Sequence, residues 1–311
     1  MSTDGSIADV LHVLTVHYNT PELTARLVTS FPTHTPAGRE IRVHVLDNAS
    51  QPQHLQTLHD AIDGVPGVTL DISRHNVGFG EGINRLAGRD DIAPSHTIWL
   101  LNPDTLLEPG CLEALEAELD AGRFAAVSPL IFSGEGKASW IWYCGGDISI
   151  QQLRVRHQLY GSPVTAAEQD PFDTEFVTGA APMMRAATFH DIGGFRRGYF
   201  MYWEDAYFSW QIRQQGARLG VVPAARLWHA VGASSGYGQS RTFYYWSTRN
   251  RFTFAADIGL SRWQVVKGRR GLECLRPVVH ALREKEGRYS KAGHAIRGTI
   301  DGFRNSQQVD S

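Results

Sequence analysis

Short apolar runs that each end in a polar cluster constrain this chain most. Residues 10–16 are followed by Tyr18-Asn19, residues 41–46 by Asp47-Asn48, and residues 97–101 by Asn102-Pro103-Asp104. Runs of this length suit strands buried on both faces better than helices. A further strand is expected over 68–72 and a fifth over 125–127. Helical stretches separate them. One opens at Thr20-Pro21-Glu22, where Thr20 caps and Pro21 suits the first helical position, and others cover 54–62 and 112–119. This β-α alternation predicts a mostly parallel sheet covered on both faces. The polar endings then gather on one edge, where open α/β sheets bind ligands.

Pro103 cannot donate to a sheet ladder, so the fourth strand stops there, and its fixed φ presents Asn102 and Asp104 on a rigid turn. The alternative is that Asp104 or Thr105 merely caps the helix over 112–119. His75-Asn76-Val77-Gly78-Phe79-Gly80-Glu81-Gly82-Ile83-Asn84 is a glycine-rich loop between a strand and a helix, a place where backbone approaches a ligand closely and a helix N-terminus faces phosphate. It is not a dinucleotide fingerprint, because the first strand ends without glycine, and no GK[ST] sequence supplies a Walker A lysine. Gly193-Gly194-Phe195 precedes Phe200-Met201-Tyr202-Trp203-Glu204-Asp205, adjacent carboxylates in an aromatic setting at the start of a helix over 206–215. Aromatic walls raise a carboxyl pKa towards general-base use, whereas a helix N-terminus lowers it and often carries acids for that reason alone. Arg213 lies two helical turns further on. His229 ends another strand beside the small residues of 230–235 and needs a partner such as Asp104 to act as a metal ligand. Trp140, Trp142, Tyr143 and Trp203 offer stacking surface for sugar rings or fill the core.

With 42% hydrophobic and 20% charged residues and a net charge of −2, the chain has globular composition and no overall field for nucleic acid. Cys111, Cys144 and Cys274 are too scattered for a zinc site or a disulfide framework, which fits a reducing cytoplasm. Residues 1–9 lack a basic or apolar leader, and no apolar run approaches the roughly 20 residues that span a bilayer. From about residue 133 the pattern changes to short apolar pieces with Gly-rich turns, as in an antiparallel or mixed sheet with a strand over 218–222; the interruption over 133–173 is where acceptor shape is expected to be encoded. The stretch 262–304 carries eleven Lys/Arg against four acids, so its charge is strongly local. Val265-Val266, Leu272, Leu275, Val278-Val279 and Leu282 recur there at helical spacing. Such a helix either lies on an anionic membrane surface or packs its apolar face on the domain and solvates its basic face.

Taken in order, Thr15-Val16-His17-Tyr18-Asn19, Asp47-Asn48-Ala49-Ser50, Asn76-x-Gly78-Phe79-Gly80 with Asn84, Leu101-Asn102-Pro103-Asp104, Thr178-Gly179-Ala180, Gly193-Gly194-Phe195, Tyr202-Trp203-Glu204-Asp205 and His229 form a series. That series resembles inverting family 2 glycosyltransferases with a GT-A fold. It is most similar to the rhamnosyltransferase-like branch, in which NPD replaces the DXD metal motif. The resemblance implies an α/β fold with a Rossmann-like nucleotide-binding half, 10–130, merged with a mixed-sheet acceptor half, 131–257, and a basic C-terminal helical extension, 258–311. It implies nucleotide-sugar contacts at Thr15, Tyr18, Asn19, Asp47, Asn76, Gly78, Asn84, Asn102 and Asp104. Asp104 and His229 would hold Mg²⁺ or Mn²⁺, Asp205 would be the general base with Glu204 beside it, and Trp203, Gly179 and Arg213 would contact acceptor or sugar. Asn102 departs from the carboxylate of the fuller motif and weakens the expected metal site. One base without a covalent nucleophile implies inversion. The implied donor is dTDP-L-rhamnose or another deoxysugar nucleotide, with UDP-sugars as the second choice. The implied acceptor is a glycan, a lipid-linked glycan or a small molecule. Two rival readings remain open: a sugar nucleotidyltransferase, which would want a glycine- and lysine-bearing loop that 18–23 lacks, and an inactive carbohydrate- or nucleotide-binding protein on the same fold.

Overall fold

In the computed structural model, which describes residues 10–230 and 239–306, every residue of the first apolar run is buried, and the run forms β1 (Val10–His17). Helix α1 (Pro21–Thr29) begins as expected at Pro21, but the Thr20 side chain makes no capping hydrogen bond. The alternation continues through β2 (Glu40–Asp47), α2 (Pro52–Ile62), β3 (Val68–Ile72), α3 (Phe79–Ala87) and β4 (Thr97–Leu100). β3, β2, β1 and β4 pair in that order, all parallel, so their polar ends share one edge. Strand alternation separates two apolar layers: Leu11, Val13 and Trp99 pack on one face, and Leu14, Val16, Ile98 and Leu100 on the other.

Beyond β4 the chain departs from the expected order. Asp104 leads into β5 (Thr105–Leu107), and α4 (Cys111–Asp120) starts only after Gly110, which adopts φ 84°. Neither Asp104 nor Thr105 caps that helix; the Thr105 hydroxyl donates to the Asn102 carbonyl at 2.7 Å instead. There follow β6 (Ala126–Ser133), β7 (Trp140–Tyr143), β8 (Gly146–Ser149), β9 (Arg154–His157), β10 (Phe172–Thr174), β11 (Met183–Arg185), α5 (Ala186–Asp191), α6 (Glu204–Gln214) and β12 (Leu219–His229). β11 inserts antiparallel between β4 and β6, while β12 runs parallel to β6 and antiparallel to β10 and β5. The sheet is therefore mixed, in the order β10-β12-β6-β11-β4-β1-β2-β3. The strand expected over 218–222 and the one ending at His229 are a single strand. Its pairing with β6 slips between Val222 and Arg226, around Pro223, which has no N–H to offer.

Three buried histidines line up beneath β1, at the end of the sheet away from its polar edge. The Ala93 N–H donates to His96 Nδ1, so that nitrogen accepts from His12 Nε2 at 2.9 Å. His12 Nδ1 then accepts from His44 Nε2 at 2.9 Å, and His44 Nδ1 from the Thr69 hydroxyl at 2.8 Å. The chain closes only with neutral rings. His12, His44 and Asp91 offer ligand atoms within 4.8 Å of one another, but both His12 nitrogens are spent in this chain, and Arg89 and Arg42 hold Asp91. Burial pushes the His12 pKa down to about 3, with His44 and His96 adding to it, and burial and then Arg89 push His44 down to about 4. Unfolded histidine protonates near 6.5, so below that pH the unfolded chain binds more protons, and the contribution of His12 and of His44 to stability is lost as the pH falls. For His12 alone the fall is roughly 2 kcal/mol between pH 6.5 and 5. His12→Leu therefore melts below wild type at pH 7.5, and the gap narrows by pH 5. Parallel melting curves across that range would refute the linkage.

The chain closes with α7 (Arg241–Asp257), α8 (Arg262–Val265), α9 (Gly268–Arg283) and α10 (Arg288–Asn305). α10 lies close along α7 because Gly298 and Gly302 face it; a Cβ on Gly298 would stand 2.2 Å from the Tyr245 carbonyl oxygen. α9 packs through Cys274 and Ala281, with Leu272, Leu275, Val279 and Leu282 outward. The expectation that the apolar stripe packs on the domain fails for these four residues, because small side chains make the contact. Among the described residues no helix is long and apolar enough to cross a membrane. Residues 1–9 and 231–235, on which two expectations rested, lie outside the described residues.

Candidate active site

The ends of β1 and β2 supply one end of the crevice. Thr15 Oγ1, His17 Nε2 and Asp47 Oδ1 are all buried there without a hydrogen-bond partner. Asn19, at φ 56°, laces the two strand ends together: its N–H donates to Ser50 Oγ at 2.9 Å, and its side-chain oxygen accepts from Gln51 N at 2.8 Å. Asp47 Oδ2 is held by Ser50 N, and Tyr18 is exposed at the rim. The Thr24 hydroxyl donates to the Thr20 carbonyl, so it accepts from His17 Nδ1 at 2.7 Å and leaves Nε2 bare. Burial lowers the His17 pKa to about 4, against the pull of Asp47, and the ring is neutral. Two acceptors, His17 Nε2 and Asp47 Oδ1, thus stand 3.9 Å apart. Buried acceptors in that relation call for a ligand donor between them.

The glycine loop is built by two asparagines. Asn48 donates to Asn76 Oδ1 at 3.0 Å and accepts from Val77 N at 2.8 Å, and the Asn76 oxygen also accepts from Gly78 N. Gly78 has φ 85°, and a Cβ there would stand 2.2 Å from the Phe200 carbonyl oxygen, so the loop tolerates nothing larger. Asn84 and Asn76 were both expected to touch the nucleotide-sugar. Asn84 clamps the Phe195 backbone through both ends of its amide, at 2.7 and 2.8 Å, while the Asn76 oxygen holds the loop and its amide nitrogen has no partner among the described residues. Their work is to hold α3 against the segment that carries the acids. A cavity of about 310 Å³ opens between them, with Glu204 on its wall.

That segment is strained: Phe200, Tyr202 and Trp203 all have positive φ, at 65°, 67° and 75°. Asn250 of α7 holds it, its amide nitrogen lying 2.6, 2.8 and 2.9 Å from the carbonyl oxygens of Tyr199, Met201 and Tyr202. The Trp203 indole donates to the Ser247 carbonyl and its ring packs on Phe254, which makes it a part of this clamp. Glu204 begins α6, is only 6% exposed and leaves Oε2 unpartnered. Asp205 keeps part of its surface open, while Oδ1 accepts from Ala206 N at 2.8 Å and Oδ2 from Gly179 N at 3.1 Å. Burial raises both carboxyl pKa values. The neighbouring Asp205 raises Glu204 further, whereas the two N–H groups restrain Asp205. Arg213 does not join them. It pairs with Glu175 at 3.2 Å in a separate hollow, about 12 Å along the helix from Asp205.

Pairing of β5 with β12 sets His229 opposite Thr105 and brings His229 Nε2 to 3.0 Å from Asp104 Oδ1. Adjacent vertices of an octahedron with bonds of about 2.1 Å are about 3 Å apart, so the pair fits one edge of a hexacoordinate cation. Imidazole with carboxylate suits Mn²⁺ better than the all-oxygen Mg²⁺. Trp142 packs edge-on against His229 at 4.8 Å, and so belongs to the wall of this corner. The Asn102 N–H donates to the Ala180 carbonyl at 2.9 Å, next to the Gly179 that holds Asp205. Residues 179–180 thereby join the Asp104 corner to the acids in one crevice. His17, Asn48 and Asn250 were not among the expected site residues. Only His17 and Asn48 carried a signal, as polar residues at the ends of apolar runs.

The sequence profile of Glycosyl transferase family 2 matches residues 12–193. The N-acetylglucosaminyl-diphospho-decaprenol L-rhamnosyltransferase of Mycobacterium tuberculosis is 28% identical over 254 residues, 74% of this chain and 79% of that protein. Among solved structures, GalNAc-T7 with UDP, GalNAc and Mn²⁺ superposes with a TM-score of 0.66 at 16% identity, covering 96% of this chain and 57% of that longer one. The Pyrobaculum calidifontis mannosyltransferase PcManGT with GDP-Man and Mn²⁺ gives 0.55 at 13% identity, over 98% of this chain and 74% of that one. These neighbours share the GT-A fold. The matched span carries β1, β2, the glycine loop and Asn102-Pro103-Asp104, and the chain belongs to Glycosyl transferase family 2, as a glycosyltransferase of rhamnosyltransferase-like kind.

Proposed function

We propose that this enzyme transfers L-rhamnose, or another deoxysugar, from a dTDP-sugar to a hydroxyl of a lipid-linked glycan, with inversion at the anomeric carbon. The observation that carries the reading is the division of the crevice: buried acceptors at the strand ends, the Asp104–His229 pair, and the part-exposed Asp205. A base N–H, such as N3–H of thymine or uracil or N1–H of guanine, is the donor that His17 Nε2 and Asp47 Oδ1 lack. Asp104 and His229 would hold a divalent cation, Mn²⁺ by their donor set, which when bound supplies positive charge to the leaving diphosphate. Asn102, whose side-chain amide makes no hydrogen bond to the described residues, is left for the ribose or the sugar. Asp205 takes the proton of the acceptor hydroxyl as its oxygen bonds to the anomeric carbon and the bond to the diphosphate oxygen breaks. Glu204, buried and neutral, keeps a second negative charge away from the attacking oxygen. The deoxysugar and the lipid-linked acceptor follow the activity for which the mycobacterial relative is named.

The test is release of nucleoside diphosphate in Mn²⁺ from dTDP-L-rhamnose, a UDP-hexose and GDP-mannose, each with N-acetylglucosaminyl-diphospho-polyprenol. Release from dTDP-L-rhamnose at least about tenfold faster than from the others is expected, with the opposite anomeric configuration in the product. Faster release from GDP-mannose would overturn the donor reading, and no release from any donor would favour an inactive binding protein.

A further inference from the structure

The part of the chain that the crevice does not use is its C-terminal helical face, and that face is apolar. Of thirteen exposed large hydrophobic residues among the described residues, nine fall between 263 and 300. On α9, Leu272, Leu275, Val279 and Leu282 are spaced by three and four and stand 69%, 60%, 45% and 44% exposed, so they form one outward stripe. Ile296 and Ile300 are exposed as well on α10, which packs against α9. Arg269, Arg276 and Arg283 repeat every seven residues along the shoulder of the stripe and are exposed. The acids of this region are turned away. Glu284 is held by Lys291 and Tyr244, Glu273 by Arg154 and Arg276, and Asp301 by Tyr245 and Arg297, while Glu286 alone of the four is exposed.

We infer that α9 and α10 dock this enzyme on an anionic lipid surface, with the leucine stripe of α9 in the interfacial region and the arginine row against lipid headgroups. Charge complementarity selects this occupant. A second copy packed stripe to stripe would oppose one arginine row to another, whereas anionic headgroups neutralise it. The docked face is also tied to the acceptor half: Arg270 Nε donates to the Ile150 carbonyl at 3.2 Å, and Arg154 reaches Glu273 at 3.9 Å. From that hairpin His157 bonds the Trp142 carbonyl at 2.8 Å, and Trp142 packs on His229. Docking therefore sets the acceptor side of the crevice beside the bilayer. The inference rests on no step of glycosyl transfer, so a failed donor assay leaves it standing.

Cosedimentation of the full chain with vesicles tests it. Wild type is expected to bind phosphatidylcholine vesicles containing about 30% phosphatidylglycerol at least tenfold more tightly than phosphatidylcholine alone, and to be released as salt rises from about 0.1 to 0.5 M. Leu275→Glu with Val279→Glu, and separately Arg269→Glu with Arg283→Glu, should each lose about tenfold or more of that binding. Both variants keep the melting temperature and rate of donor hydrolysis of wild type, because the altered side chains are exposed. Leu275→Ser is the milder substitute should the double variant fold poorly. Equal binding to both vesicle types, binding indifferent to the arginine row, or a dimer that Leu275→Glu dissolves without vesicle binding in wild type would overturn the inference.

Discussion

Asp205→Asn is expected to lower the turnover number by about a thousandfold while the KM for donor changes little. The carboxylate does one thing that an amide cannot, which is to take a proton. Its two oxygens accept from Gly179 N and Ala206 N; the amide keeps its oxygen on one of these donors and loses the other, because its NH₂ cannot accept, so an unchanged melting temperature is the control that the side chain has kept its place. Burial raises the Asp205 pKa, and the base must be ionised to work, so kcat/KM should fall on an acid limb well above the ordinary aspartate value of about 3.9. The limb belongs to the Glu204–Asp205 pair and should disappear from the residual activity of the Asn variant. Glu204→Gln is the contrasting case. It preserves the neutral form that burial already imposes, so a loss below about tenfold is expected. If the two variants exchanged magnitudes, Glu204 would be the base. Full turnover in Asp205→Asn, with product of inverted configuration, would leave the proton without a protein acceptor and sink the assignment.

The parts of the crevice that were legible in the sequence are those set by local pattern. β1, β2 and β4 announce themselves as apolar runs, and a run that ends in Asn102-Pro103-Asp104 cannot continue its ladder. His229 was legible for the same reason, as the polar end of another run. What the pattern could not give is anything decided by a distant segment. β5 has three residues and exists because β12 pairs with it, so the turn after Pro103 becomes a strand rather than a helix cap. β12 reads as two strands because Pro223 interrupts its ladder at the bulge. Asn84 and Asn250 are chemically suited to ligands, yet both are spent on backbone, and only the fold shows which amides are already engaged. Arg213 lies about 80° round α6 from Asp205 and about 12 Å along it, so it reaches a different hollow. On α9 the period reveals the stripe, but which face is covered depends on where Cys274 and Ala281 find room to pack.

Asp104→Asn should cost about a thousandfold in kcat/KM and raise the Mn²⁺ concentration needed for half-activation by at least about tenfold. Asp104 is the one carboxylate of the pair; with Asn102 beside it in place of a second acid, no other negative charge of the Asn102-Pro103-Asp104 turn remains once it is removed. His229→Gln keeps a neutral donor near the same place and should lose about tenfold, less than the removal of the charge. Asn102→Asp works in the opposite direction. A second carboxylate on the same turn should lower the half-activating Mn²⁺ concentration by about tenfold, and a donor that remains bound too tightly through the cation would then slow product release. Titration of diphosphate release with MnCl₂, together with Mn²⁺ binding followed by electron paramagnetic resonance without donor, separates the metal from the chemistry. Undiminished turnover in EDTA, or Mn²⁺ binding unchanged in Asp104→Asn, would show that the Asp104–His229 contact at 3.0 Å is an ion pair that closes the crevice and not a cation site.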